Sequence, residues 1–393
     1  MYRLSNVSSV SIWNYKYKQK TATVGRKTNL TRLYANMDRR IMRTVKSILR
    51  LPQSGVNVSY FYVNESRGGL GLHRLEVLIP SARIKLRAQM NVSVQMRELL
   101  DKYHFNDYEV CIRLLEKHNL SVEDLSRVAR VNAMVSEARR GLIGKSLVIP
   151  SKREMVVPLL KRSNGLGFSS YRLQRAVRFR LNCLPTNSRI SKANPKVSNR
   201  CRLGCRQRES LGHLLCDKRC GKLNELWIGR HNKIVAYLFE RFSKLKKQGT
   251  KLALELGTGN FRPDMVLFND QMALVLEVAV RWGSGTCLKE IFEVKRAKYS
   301  SIEAIEQLKS TLNDLSPSKL DRKVTVIPLI FSVHGSFYDP GVAIHQLYAQ
   351  MTDVRVSKAA LMIVAQMAWE SSLKYVGSVL GDRALYSNTR IAE

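Results

Sequence analysis

Acidic residues are scarce in this chain: 31 Asp and Glu stand against 66 Lys and Arg in 393 residues, a formal charge of +35. That excess goes beyond what solubility requires and points to a polyanionic partner. The basic residues run through most of the sequence rather than gathering in one short segment, which argues against a membrane surface and for nucleic acid. Long apolar runs are missing as well. No stretch approaches the ~20 residues that span a bilayer, and the opening Met1-Tyr2-Arg3-Leu4-Ser5 lacks an apolar signal core, so no membrane is expected and the protein should stay inside the cell. Cysteine is sparse and odd in number. Of the seven, four fall between 201 and 220, a pattern that excludes a disulfide framework and favours a metal cluster. Cys111, Cys183 and Cys287 read as plain buried thiols. No internal repeat or low-complexity tract occurs, and a hydrophobic content of 45% is enough for two or three folded domains.

Along the first hundred residues, Leu33, Met37, Ile41, Val45 and Leu49 recur at helical spacing until the break at Leu51-Pro52. Gly68-Gly69-Leu70-Gly71 lacks the spacing and the Lys of a phosphate loop and reads as a structural turn. Leu75 to Pro80 leads into a basic helix expected over about 81–100. Helices are expected over 107–145, broken at Asn119-Leu120-Ser121, with Ser121 and Asp124 as a cap. From 170 to 184, Leu173, Val177 and Leu181 form an apolar stripe, and Arg172, Arg175, Arg178 and Arg180 fill the remaining positions. Such a helix packs inward and presents guanidinium groups to phosphates.

Cys201-Arg-Leu-Gly-Cys205 lets one tight turn aim two sulfurs at one ion, and His213 follows eight residues later. Either Cys216 or Cys220 completes a Cys3His tetrahedron, and geometry alone leaves both open. Four protein ligands leave no position for water, so the zinc is structural. Arg200, Arg202, Arg206, Arg208, Lys218 and Arg219 surround it, as suits a knuckle that touches nucleic acid.

Downstream, Phe261-Arg262-Pro263-Asp264-Met265-Val266-Leu267-Phe268 reads as a strand opened by proline, followed by polar Asn269-Asp270-Gln271 and the apolar strand Met272 to Val280. If Asp270 and Gln271 form a two-residue turn, Asn269 pairs with Met272, and counting outward sets Asp264 opposite Glu277. Opposed side chains share a face about 5 Å apart. Two carboxylates at that separation repel, one of them in an apolar strand, and a cation resolves the cost. Oxygen ligands suit Mg²⁺. The segment Leu288 to Leu308 reads as a helix with Leu288, Phe292, Tyr299 and Ile302 on one stripe and Lys295 at its centre. Lys295 is placed to serve the acidic hairpin. Lys298 lies off that stripe, and Tyr299 sits one turn from Lys295.

These residues resemble the restriction-like endonuclease of site-specific non-LTR retrotransposon proteins, a PD-(D/E)xK nuclease at the carboxy end of their reverse transcriptase. Arg262-Pro263-Asp264, twelve intervening residues, Glu277 and then Lys295 to Tyr299 follow that family's order, behind a Cys-Cys-His-Cys knuckle and Leu184-Pro185-Thr186. Leu51-Pro52, the glycine-rich turn and Ile79-Pro80 look like the end of a polymerase thumb. The resemblance implies an α/β core, a mixed sheet flanked by helices, preceded by a mainly helical region and a small zinc knuckle. Expected bounds are 1–100 for a thumb-like segment, 101–195 for a basic linker, 196–232 for the knuckle and 233–393 for the nuclease. Asp264, Glu277, Lys295, Lys298 and Tyr299 would be catalytic, with Mg²⁺ on the two acids. Zinc would sit on Cys201, Cys205, His213 and Cys220, the last preferred because Arg230-His231 keeps the family's downstream spacing. Arg172, Arg175, Arg178, Arg180 and Arg262 would bind nucleic acid. The expected partners are target DNA, element RNA and a second copy of the protein, in the nucleus. Ala279 stands where a strand lysine is common in the superfamily, so the basic group comes from the helix. No Asp-Asp pair occurs anywhere, so the polymerase palm is missing and the chain should not synthesise DNA alone. The other reading is a nucleic-acid-binding remnant whose chemistry has lapsed.

Overall fold

The computed structural model describes residues 30–90, 98, 108–140, 154–157, 170–217, 219–257, 261–283, 286–315, 321–338, 350–352 and 358–381. The chain divides into two compact units, residues 1–41 with 74–123 and residues 42–73 with 124–393.

Helix α1 (Leu30–Ile48) forms as its periodicity predicts. The stripe it buries is Tyr34, Asp38, Met42 and Lys46, one position round from the expected one, and Ile41 is exposed; Leu49, just past the helix, is buried as expected. Within the first unit the displacement has a cause. The Asp38 carboxylate accepts the backbone N–H groups of Leu75 and Glu76, both at 3.0 Å, and so satisfies orphan donors at the start of helix α2 (Leu75–Met90). Helix α2 begins earlier than expected and runs through Pro80, which removes the N–H that would have reached the Glu76 carbonyl and sets its ring against that carbonyl. Helix α3 (Tyr108–Glu116) packs on α2. Glu76 is buried between them and is matched by Lys117 at 3.0 Å and Arg74 at 3.3 Å. The neighbouring His118 imidazole, 3.6 Å away, contributes most to holding the carboxyl down at about 2.

In the second unit, helix α4 (Arg127–Ala138) is capped by Ser126, whose hydroxyl accepts from Ala129 at 3.1 Å, in place of the expected Ser121. Ser121 and Asp124 instead close local turns. The glycine-rich segment is a turn, and a side chain at Gly69 would strike the Val63 carbonyl at 2.1 Å.

The core is a six-stranded mixed sheet in the order β1-β6-β5-β4-β3-β2, built from β1 (Glu154–Val156), β2 (Lys251–Leu254), β3 (Met265–Phe268), β4 (Met272–Arg281), β5 (Lys323–Ser332) and β6 (Ser336–Tyr338). β4 and β5 run parallel; the other pairs are antiparallel. The chain passes from β4 to β5 through helices α9 (Thr286–Tyr299) and α10 (Ile302–Asp314), which cover one face. Helices α5 (Ser170–Arg180), α6 (Asn187–Ala193), α7 (Leu211–Cys216) and α8 (Asn224–Leu245) also belong to this unit. The final helix, α11 (Lys358–Leu380), packs on α8, β5 and β6. The strand β4 is buried on both faces, which is why it reads as a near-continuous apolar run. The architecture is mixed α/β with helices flanking a mixed sheet. Its edge strand β1 comes from the stretch expected as a linker.

Candidate functional site

Two clusters stand out. In the first, Cys201, Cys205, His213 and Cys220 bring their ligand atoms within 4.8 Å of one another. The turn forms because Gly204 adopts φ +83°, open to glycine at little cost, while the flanking backbone closes through Cys201 N–H to the Gln207 carbonyl at 2.8 Å. His213 arrives from α7, capped by Ser210, with Nε2 3.2 Å from the Cys205 sulfur. Its Nδ1 lies 3.1 Å from Asp217, whose carboxylate fixes the tautomer that leaves Nε2 free to ligate. Cys220 closes the group. Burial pushes its thiol up to about 12, and the neighbouring Cys205 and Cys201 add to the rise. Thiols crowded in this way cannot ionise together without a cation, which is the donor set a zinc ion relieves. Cys216 lies apart, half-buried beside Arg230 and the Trp282 backbone. The loop is tied down by Glu209, fully buried, which accepts from the Arg202 guanidinium at 2.7 and 2.8 Å and from the Asn187 N–H at 2.7 Å.

The second cluster sits at the hairpin. Asn269 N–H bonds the Met272 carbonyl at 3.0 Å, and Met265 pairs with Leu276, so the register sets Asp264 opposite Glu277. Asp264 lies just outside β3. Its Oδ2 accepts the Val278 N–H at 2.7 Å, and its Oδ1 lies 2.9 Å from Nε2 of His231 on α8. Glu277 is buried at 5% exposure. Burial raises its carboxyl above the ordinary value, Asp264 raises it further, and Lys295 pulls it back. One oxygen, Oε1, is ion-paired with Lys295, which α9 delivers across the face of β4. The other, Oε2, is buried with no hydrogen-bond partner among the described residues. A buried carboxylate oxygen left unmatched is costly.

Tyr299 is largely buried, its hydroxyl donating to the Arg262 carbonyl at 3.2 Å. Burial raises it well above its usual value, and Glu277 adds to the effect. Lys298 lies over the Tyr299 ring at 4.7 Å, off the Glu277–Lys295 pair. The segment from Leu288 is two helices rather than one: Ser301 caps α10, and Ile302, expected on the buried stripe, is 77% exposed. The Arg262 guanidinium is exposed and paired with Glu255.

The α5 arginines depart most from expectation. Arg180 is 2% exposed, donating to the carbonyls of His334 at 3.0 Å and Val157 at 2.6 Å, with its guanidinium 5.3 Å from the Trp369 ring centre. Arg178 is also buried, and Arg175 donates to the Leu373 carbonyl at 2.6 Å. Three of the four guanidiniums thus turn inward. The carbonyls just past β1 and β5, and one inside α11, take donors where α5 packs, and Arg supplies five in a fixed fork. The side chain of Arg172 lies outside the described residues. His231 joins the site with no motif of its own; the sequence signal is its place on the long helix α8, which faces the hairpin.

No protein-family model matches the chain. Over 331 residues it is 24% identical to the "Retrovirus-related Pol polyprotein from type-1 retrotransposable element R2" of Popillia japonica, a match that covers 78% of this chain. The chain spans 61% of that relative's length. No helix among the described residues is long and apolar enough to cross a membrane. With the Cys3His group in the place the resemblance gives it, the chain is similar over most of its length to a non-LTR retrotransposon protein.

Proposed function

We propose that the chain is a metal-dependent endodeoxyribonuclease of the PD-(D/E)xK type, the DNA-nicking part of a non-LTR retrotransposon protein. The observation that carries the reading is the opposed pair Asp264 and Glu277, with one buried Glu277 oxygen unmatched and Lys295 on the other. The two carboxylates would hold Mg²⁺, which supplies positive charge against the charge that develops on a phosphodiester under attack. Lys295 is positioned by Glu277, so that its ammonium stands ready to orient water or to donate to phosphate. His231, in the tautomer with its proton on Nε2, fixes the rotamer of Asp264. Tyr299 shares the helix face of Lys295, Lys298 lies over the Tyr299 ring, and the exposed Arg262 faces solvent where a DNA backbone would run.

On this reading the zinc knuckle occupies 196–232 and the nuclease 233–393, with β1 as an added edge, behind a thumb-like 1–100 and a linker over 101–195. The nick leaves a 3′-hydroxyl that primes copying of element RNA on target DNA in the nucleus, with a second copy of the protein serving the second strand. Purified chain with Mg²⁺ should nick supercoiled DNA carrying a suitable target, and Asp264→Ala should not. An Asp264→Ala protein that nicks as fast as wild type would sink the assignment. Metal-independent binding without any cleavage would leave a nucleic-acid-binding remnant.

A further inference from the structure

The last turn of α1 docks against α5, where the Gln174 side chain donates to the Ile48 carbonyl at 2.7 Å. Arg178 follows Gln174 by one turn and so lies on the same face of α5. Cations gather where these two helix ends meet: Lys46 in α1, Arg50 just past it, Arg178 in α5 and Arg189 in α6. Burial lowers the Arg178 guanidinium from its ordinary value, and the charges of Arg189 and Arg50 press it further down. The Cys183 thiol lies amid Arg189, Arg178 and Lys46, but burial pushes it up, so it stays neutral and offsets none of them. Among the described residues no carboxylate pairs with Lys46, Arg50 or Arg189.

Two of these cations serve the fold. Lys46 is buried and donates to the Gln53 carbonyl at 2.6 Å, and Arg189 donates through Nη1 to the Asn182 carbonyl at 3.0 Å, just past the end of α5. Arg50 does not. The turn that ends α1 is closed by Arg50 N–H to the Ser47 carbonyl at 3.0 Å and by Leu51 N–H to the Lys46 carbonyl at 2.8 Å, which puts Arg50 in the left-handed region at φ +51°. Glycine fills that position without strain, whereas arginine strains the turn. The Arg50 guanidinium recovers nothing within the chain: it is exposed and makes no hydrogen bond or ion pair among the described residues. A strained position held by an unengaged cation points to a ligand outside the chain.

Arg189 has capacity to spare as well. Its Nε and Nη2 bond nothing among the described residues and are open to solvent. Two solvent-facing guanidiniums above two buried cations focus positive potential outward. In a chain of charge +35 the fitting ligand is a phosphodiester backbone, which repeats its negative charge and offers oxygens that suit the guanidinium fork.

We propose that the meeting point of α1, α5 and α6 binds the phosphate backbone of a nucleic-acid strand, with Arg50 and Arg189 each on a phosphate. The site shares no residue with the acidic hairpin and does not depend on cleavage, because binding is read without magnesium.

The test uses the full chain, zinc-loaded and free of Mg²⁺, with labelled duplex DNA and labelled single-stranded RNA of equal length titrated over a range of salt. Arg50→Gly should weaken binding by about tenfold, the scale of one charge-assisted contact, and lower the salt slope by about one ion. The same change should raise the thermal midpoint by about 2 °C, because glycine relieves the left-handed turn. Weaker binding from a more stable protein is a result that a structural role for Arg50 cannot give. Arg50→Asn, which also tolerates the left-handed region, should weaken binding alike, and Arg50→Lys should keep the slope. Arg189→Gln should lower the slope by about one ion, and the double variant by about two. A loss confined to the duplex assigns the site to DNA, one confined to the single strand to RNA, and a loss on both to either backbone. The proposal is overturned if Arg50→Gly and Arg50→Asn bind both probes as tightly as wild type with the slope unchanged, or if Arg50→Gly lowers affinity and thermal midpoint together.

Discussion

The Cys3His group and, on the proposed reading, the acidic hairpin would each meet a cation, and they would do so in opposite ways. The knuckle gathers its four ligands from twenty residues of loop and one short helix, and it is closed: Asp217 completes His213, and Glu209 ties the loop to α6. The hairpin draws on three elements far apart in sequence, α8, β3–β4 and α9, and it is left incomplete, with one Glu277 oxygen unmatched. A structural ion completes a fold, so its site is saturated by protein. A reacting ion must keep positions for water and substrate, so its site carries unrelieved charge.

The contrast can be broken most directly at the knuckle. Cys220→Ser should release zinc and lower the thermal midpoint by roughly 10 °C or more, because structural zinc contributes folding energy outright. Cys216→Ser should keep the metal. Metal analysis and a thermal melt check both, and the reverse result would reassign the fourth ligand. At the hairpin the effects should appear in rate instead. Lys295→Met should slow nicking by about 10²–10³-fold, the scale of one lost charge-stabilising donor, with zinc content unchanged. A nicking assay that shows less than a twofold loss would make the Lys295–Glu277 pair structural. His231→Ala should cost about 10–100-fold, the range for groups that orient a metal-bound carboxylate, and raising Mg²⁺ should recover part of it.

The smallest expected effect separates acid sensitivity from both metal sites. His334 is 2% exposed, between Phe179 and Trp282, and burial holds its imidazole down to about 3, with Arg180 adding to the shift. A histidine whose folded value lies below the unfolded one gives stability that is full above about pH 6.5 and is lost as pH falls toward the folded value. Roughly 2 kcal/mol should therefore go between pH 6.5 and 5. His334→Leu should flatten that dependence in denaturant melts at the two pH values. Neither ring nitrogen has a partner among the described residues, so an apolar replacement strands nothing.

What could be read from the chain alone divides along the same line. The knuckle is local, so cysteine spacing nearly specifies it. The hairpin register could also be counted, because strand side chains repeat with period two and a two-residue turn leaves no slack. The helix faces were read less well. Lys295 and Phe292 lie inward as their spacing requires, yet Ile302 belongs to a new helix begun by Ser301. On α1 a buried Asp38 turned the helix to cap α2, a tertiary demand that apolar periodicity does not carry. Arg178 and Arg180 were misplaced for a related reason. A basic residue that satisfies buried carbonyls has the same letter as one that faces a phosphate, and only the packing tells them apart.

The edge strand β1 has a consequence for how the protein can be divided. It pairs Met155 with Phe337, so the sheet is sealed by a segment that precedes the knuckle, α5 and α8. Everything from α5 to α8 is thereby a long excursion whose two ends are fastened to one sheet. Cutting the chain at about residue 233 would strip that seal, bare the hydrogen-bonding edge of β6 and remove Arg180 from the carbonyls it satisfies. A fragment that begins at the knuckle's far side should be sticky and poorly folded, and an expression boundary belongs upstream of Glu154.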